Sequence, residues 1–240
     1  MRIEDSSGKE INSFEEWADF YENSRQSHQW QKGRSSYSLA EFMLNHNGGD
    51  TIQRRVSDAL GYSVELERAI LEYELRFDQY GQGSVHDLGV FGHTHSGKSL
   101  FVGIVAKVDE SFGELTLNSY LAAKARQIVG ISTNAPERIE QLLALHFTKP
   151  DPTIFEVRYK LLYATAGTLA AKADVHVLYV LVFKTFLYDA AKGIANYRDY
   201  IQFMDKVGAT NLNVLTKGTV GHKLNLKGND LFCLHDYWSL

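Results

Sequence analysis

Apolar positions along this chain change period several times, and the changes mark its elements. Ser13 followed by Glu16, and Ser38 followed by Glu41, fit the capping box, in which hydroxyl and carboxylate satisfy N–H groups that a helix start leaves without partners. The spacing predicts helices over 13–24 and 38–46. Ile52, Val56, Ala59 and Leu60 share one face of a third helix, running from Asp50 or Thr51 to Gly61. A fourth helix, from Ser63 into the acidic stretch 65–78, turns Val64, Leu66, Ile70 and Leu71 inward, with Glu65, Glu67, Glu72 and Glu74 around them. The period then shifts. Asp87-Leu-Gly-Val-Phe and Ser99-Leu-Phe-Val-Gly-Ile-Val-Ala-Lys-Val are rich in β-branched and aromatic residues, and the Gly/His/Ser segment 92–98 joins them as a β-hairpin.

Further helices are predicted over 118–129, over 135–146 (Asn134 capping, Pro136 in the first turn), over 154–172 and over 195–207. The nearly continuous apolar run Val175–Phe183 reads as a strand buried on both faces, and short strands follow near 212–216, 222–226 and 231–235. Helices and strands both interleave and segregate, so the class is α/β or α+β, a mixed β-sheet with flanking helices. No low-complexity linker divides the chain, which reads as one domain, residues 1–240, with N-terminal helices over 13–75 packed on a core over 76–240.

Composition narrows the function. Hydrophobic residues at 44% and charged residues at 22% fit a well-buried core and exclude disorder, collagen and disulfide scaffolds. The single cysteine, Cys233, rules out an internal disulfide and fits a reducing cytoplasm. The polar N-terminus has no signal-peptide core, and no apolar run approaches the roughly 18 residues of a membrane span. A net charge of −4 gives no overall attraction to polyanions, but it averages over unlike segments. Between Lys206 and Lys227 there is no acid, and Lys206, Lys217, Lys223 and Lys227 make that segment locally basic; Arg25, Lys32, Arg34, Arg54 and Arg55 do the same near the N-terminus.

One octapeptide carries several readings. Gly92-His-Thr-His-Ser-Gly-Lys-Ser99 satisfies GxxxxGK[ST], the phosphate-cradling P-loop pattern. That mechanism needs a helix to start at the GKS, whereas Ser99 opens an apolar strand, so a hairpin turn is the favoured reading and a P-loop nucleotide site the alternative. The Gly-His-Thr-His within it is similar to one motif of calcineurin-like metallophosphoesterases, whose other motifs are not found in order. His86, His93 and His95 also suggest a mononuclear metal site, against the simpler reading of solvated turn histidines.

A wider constellation points elsewhere. Glu72, Asp87 opening an apolar strand, and Val105-Ala-Lys107 on the next strand together resemble the PD-(D/E)XK nuclease-like superfamily. Trp30-Gln-Lys-Gly-Arg-Ser-Ser-Tyr, Ala106-Lys-Val-Asp-Glu-Ser-Phe-Gly113 and Arg158-Tyr-Lys-Leu-Leu-Tyr-Ala-Thr-Ala-Gly-Thr-Leu169 look like landmarks of a mainly bacterial, poorly characterised branch of it. The resemblance implies a restriction-endonuclease-like core and Mg²⁺- or Mn²⁺-dependent hydrolysis of DNA or RNA phosphodiesters. Asp87, Lys107 and Glu72 would be catalytic; Asp87, Glu72 and Asp109 would hold the metal; Arg158, Lys160 and Lys223 would contact substrate. Such folds are often dimeric. The chemistry explains the spacing: carboxylates from neighbouring strands meet at a hard cation, and the single residue between acid and lysine keeps both on one face.

Val105 departs from that pattern, because it stands where the family places an acid. Asp109, Glu72 or Glu74 could substitute, the protein could be a catalytically inactive nucleic-acid- or protein-binding module, or the position could carry a change in this chain. Lys160 stands where the family places glutamine.

Overall fold

The computed structural model describes residues 1–22, 30–149 and 151–240. Its centre is an eight-stranded mixed sheet with helices on both faces, the class the alternating periods predict. The strands are β1 (Arg2–Glu4), β2 (Val64–Leu75), β3 (Ser84–Thr94), β4 (Ser99–Lys107), β5 (Val175–Lys184), β6 (Thr210–Asn211), β7 (Val220–Leu226) and β8 (Asn229–Ser239), arranged β1-β2-β3-β4-β5-β8-β7-β6. β2, β3 and β4 form an antiparallel meander, and β5 lies parallel to both β4 and β8.

β5 shows how the layers are built. Val177, Tyr179 and Leu181 join one core cluster, with residues of α1 (Phe14–Glu22), α2 (Ser35–Asn45) and α3 (Gly48–Leu60). The alternate residues Leu178, Val180 and Val182 join another, under α5 (Ala135–His146), α6 (Tyr159–Leu169) and α7 (Ala190–Lys206). Period-two alternation in an apolar run therefore feeds two cores at once, which is why the run has no polar face. α4 (Thr116–Ile128) packs outside α5. No helix among the described residues is long and apolar enough to cross a membrane.

Several local expectations are corrected. The segment after Ser63 is strand β2: Val64 and Leu66 are buried while Glu65 and Glu67 are exposed, an alternation of two that helical grouping obscured. The hydroxyl half of the capping box at Ser13 forms as expected, the Glu16 N–H donating to Ser13 Oγ (3.2 Å), while the carboxylate half is shifted by one residue, the Asn12 N–H donating to Glu16 Oε2 (2.7 Å). At Ser38 there is none, because Ser38 is a buried interior residue of a helix that begins at Ser35. The helix expected over 154–172 breaks into a 3₁₀ turn, Pro152–Glu156, and α6. Val157 and Arg158 are extended between them, because the Val157 carbonyl accepts from both the N–H and the hydroxyl of Thr116. The end of the helix predicted over 13–24, and Arg25, lie outside the described residues.

Candidate active site

The β2–β3 ladder is irregular at two places, a register shift between Leu66 and Arg68 and, with the register kept, a change of face after Leu71. Leu71 pairs with Leu88 and both face the α1–α3 side, whereas Tyr73 pairs with His86 and both face α6. Regular strands would keep residues two apart on one face, so both chains turn over at the residues between, Glu72 and Asp87. Glu72 has a positive φ of 46°, a backbone region that a non-glycine residue enters rarely. The two carboxylates therefore leave the ladder at the same point.

Both open into a cavity of about 700 Å³. Val105, Lys107 and Glu110 form another wall, Arg34 and Ser35 at the start of α2 a third, and Lys160 and Tyr163 of α6 a fourth. Glycine lets α6 come this close. A Cβ on Gly167 would lie 2.3 Å from Ser84 Cβ, and one on Gly103 would lie 2.4 Å from the His86 ring. His86 is buried and bonds through Nε2 to Thr168 Oγ1 of α6 at 2.9 Å, so it fastens helix to strand.

Asp87 and Lys107 are on adjacent antiparallel strands, and Asp87 Oδ2 accepts from the Ala106 N–H at 2.9 Å. Extending the Leu88–Ile104 pairing by one residue sets Val105 opposite Asp87. Lys107 Nζ donates to the Ser111 carbonyl at 3.3 Å and lies 5.5 Å from the centre of the Phe112 ring. Burial pushes the Asp87 carboxyl above its ordinary value; the Ala106 N–H, Lys107 and Lys160 pull it down, while Glu110 adds to the rise. Burial lowers the Lys107 ammonium, and the neighbouring Lys160 charge lowers it further. Three cations, Arg34, Lys107 and Lys160, and three carboxylates, Glu72, Asp87 and Glu110, thus line one cavity, a crowding of charge that is common at active sites.

Of the residues singled out from sequence, Glu72, Asp87, Lys107 and Lys160 come together here. Asp109 does not open into the cavity: it is buried in ion pairs with Arg34 Nη1 (3.1 Å) and Lys192 Nζ (3.5 Å) and holds Arg34 at the wall. Glu74 accepts from the Gly83 N–H at 2.8 Å and shapes the β2–β3 loop. Arg158 is spent on Asp199 (2.8 Å) and the Gly113 carbonyl (3.1 Å). Lys223 pairs with Asp230 at 2.7 Å on β7, which β5 and β8 separate from β4, so it and its basic segment lie away from the cavity. The P-loop reading is corrected too, because Gly92–Thr94 end β3, Ser99 begins β4 and no helix follows the glycine turn. The three histidines do not meet: His86 is buried at α6, while His93 is half-exposed and lies between Glu65 and Glu67.

Glu110, Arg34 and Tyr163 belong to the cavity without having been assigned to it. Tyr163 had a signal, since it follows Lys160 by three residues on one helix and so shares its face. Glu110 had only its place just past a strand end. Among the described residues, no group of three or more His, Cys, Asp or Glu is arranged to hold a metal ion.

Residues 10–235 match the family described as a domain of unknown function (DUF6946). No curated protein and no solved structure matches the chain.

Proposed function

We propose, for a chain that belongs to this family of unknown function, a PD-(D/E)XK-like phosphodiesterase site that acts on DNA or RNA. The observation that carries the reading is the opening of Asp87 and Lys107, from adjacent strands, into one cavity with Glu72. Secondary support comes from order: a meander of three antiparallel strands, then a helical crossover of α4, α5 and α6 to a parallel fourth, with the acid on the second strand and the lysine at the end of the third.

The resemblance implies Mg²⁺ or Mn²⁺, and the donor set allows it in one form. Glu72 and Asp87 supply hard oxygen ligands from one irregularity in the sheet, but Val105 supplies none, and among the described residues no third acid is arranged with them to hold an ion. Mg²⁺ is commonly held by one or two carboxylates with substrate phosphate and water completing its shell, so these residues suit an ion that binds with the substrate. Such an ion would polarise the phosphodiester and acidify a bound water. Lys107 then neutralises negative charge building on the phosphate, its own charge kept in place by Asp87 and Glu110. Lys160 and Arg34 fix the strand by its phosphates, and Tyr163 narrows the mouth from α6. We place this activity in the cytoplasm, on the ground that Cys233 is a free, buried thiol.

Calorimetric titration with Mg²⁺ and Mn²⁺ in the presence of a non-cleavable oligonucleotide, alongside cleavage of duplex and single-stranded substrates, tests the proposal. Metal binding and cleavage that both vanish in Asp87→Asn are expected; their absence from the wild-type protein would remove it. Val105 beside Asp87 favours a second reading, a binding module that has lost catalysis, and oligonucleotide binding that is salt-sensitive but indifferent to Asp87→Asn would select it.

A further inference from the structure

Glu72 does not hold its position by strand geometry, since its backbone is left-handed and it lies outside the β2–β3 ladder. Something else must fix where its carboxylate points. Tyr21 of α1, 51 residues earlier, donates its hydroxyl to Glu72 Oε1 at 2.5 Å. The tyrosine is fully buried, its ring stacked on Trp30 (centroids 5.2 Å apart, planes 13° apart) and edge-on to Phe20. Packing of that kind requires only the ring, and phenylalanine would supply it. The hydroxyl is the one part of the side chain that reaches toward the site, and Tyr21 itself does not line the cavity.

We propose that Tyr21 is a positioning residue, which orients the Glu72 carboxylate toward Asp87 and so sets the affinity of the site for a divalent cation. The inference rests on the metal-dependent reading above. Ligating carboxylates are commonly held by an outer hydrogen bond, and removing such a partner costs about 10–100-fold in metal affinity. It also gives α1 a role that its distance in sequence conceals: docking of the N-terminal helix completes the site.

The test is Mn²⁺ and Mg²⁺ titration of wild-type protein, Tyr21→Phe, Glu72→Gln and the double variant, each with the same non-cleavable oligonucleotide, with thermal unfolding measured without metal. Tyr21→Phe should weaken metal binding about tenfold or more while leaving the unfolding midpoint nearly unchanged. The double variant should bind no more weakly than Glu72→Gln alone, because the effect of the hydroxyl on the metal runs through that carboxylate. Glu72→Asp, which withdraws the carboxylate from the hydroxyl by one methylene while the tyrosine stays, should weaken binding in the same way and guards against a folding defect in Tyr21→Phe. Wild-type affinity in Tyr21→Phe, or full additivity with Glu72→Gln, overturns the inference and leaves the metal site standing. Failure of the wild-type protein to bind either metal, with Asp87→Asn equally inert, overturns the metal-dependent reading itself.

Discussion

Asp87 accepts a hydrogen bond from the backbone N–H of Ala106 at 2.9 Å, which joins the acid of β3 to the middle residue of Val105-Ala106-Lys107 in β4. That bond fixes one carboxylate oxygen against the neighbouring strand and presents Val105 and Lys107 on either side of it. Val105→Glu would therefore set a further carboxylate beside Asp87, a third with Glu72. Metal affinity should rise by about tenfold or more, since affinity for hard cations follows the number of charged oxygen ligands. Val105 packs partly against the core under α6, so stability should fall by about 1–2 kcal/mol. Calorimetry and a denaturant series on the same variant measure both; a variant that is only destabilised would show that the cavity does not gather cations at this point.

The lip of the cavity has its own clamp. Arg138 of α5 donates through Nε and Nη2 to both carboxylate oxygens of Asp78 (2.6 and 3.1 Å) and through Nη2 to the Gln82 carbonyl (2.7 Å). Its guanidinium lies against both the Phe77 and Tyr163 rings, 5.0 and 4.7 Å from their centres. Arg138→Ala leaves a buried carboxylate without its partner, which costs about 3–5 kcal/mol. Amide exchange should quicken first over residues 76–83, because this pair ties that loop to α5. Arg138→Lys should recover little, as it offers no planar fork for Asp78 and no flat face for the rings.

What the sequence disclosed follows from how local each signal was. Val175–Phe183 read correctly as a doubly buried strand because its length and composition admit little else, and Gly61 ended α3 as a left-handed cap at φ 76°. Asp87 and Lys107 were legible because strand alternation carries short spacings into space. Glu72 was singled out, but on a helix that does not exist. Its strand alternates only over Val64–Glu67 before the pattern fills with apolar residues and then breaks at Glu72 itself. Asp109 and Lys107 share strand parity, yet the chain leaves β4 at Lys107, and ion pairs to α2 and α7 claim Asp109 instead. Tyr21 could not have been found, since only the docking of α1 brings it to Glu72.

Acid should unfold the protein through its buried histidines. Burial pushes His86, His146 and His235 down to about 4, against about 6.5 in an unfolded chain. Above pH 6.5 both states are neutral at these rings and nothing is lost. Below it the unfolded chain takes up protons that the folded one refuses, so stability falls until the folded rings also protonate near pH 4. Each ring accounts for about 3 kcal/mol across that window, and the three together are comparable to the usual stability of a domain. Asp87, with its carboxyl raised, works in the opposite direction, but it is one group against these three and His222, whose ring is also pushed down by burial. Urea unfolding at intervals from pH 7.5 to 4 should show the midpoint dropping steeply below pH 6.5. His146→Gln, which keeps a hydrogen-bonding group near Thr165, should flatten the drop by about a third if the variant folds; a pH-independent midpoint would contradict the assignment.

Lys160 supplies the clearest separation between holding a phosphate and acting on it. It stands on the first turn of α6 and lowers the Lys107 ammonium by its charge, second only to burial. Lys160→Gln removes one phosphate contact, so the slope of log affinity for an oligonucleotide against log salt should shrink by about 1. The same change relieves Lys107 of a neighbouring like charge, and its ammonium should titrate at higher pH. A lysine that must stay charged to stabilise the phosphate then works over a wider alkaline range. The variant is therefore expected to bind more weakly at every pH while holding its cleavage rate at saturating substrate further into the alkaline limb than the wild type. Filter binding across a salt series and single-turnover rates from pH 7 to 10 measure the two effects. An unchanged salt slope would mean that Lys160 faces no phosphate, and an unchanged alkaline limb that Lys107 is not the charge that limits the reaction.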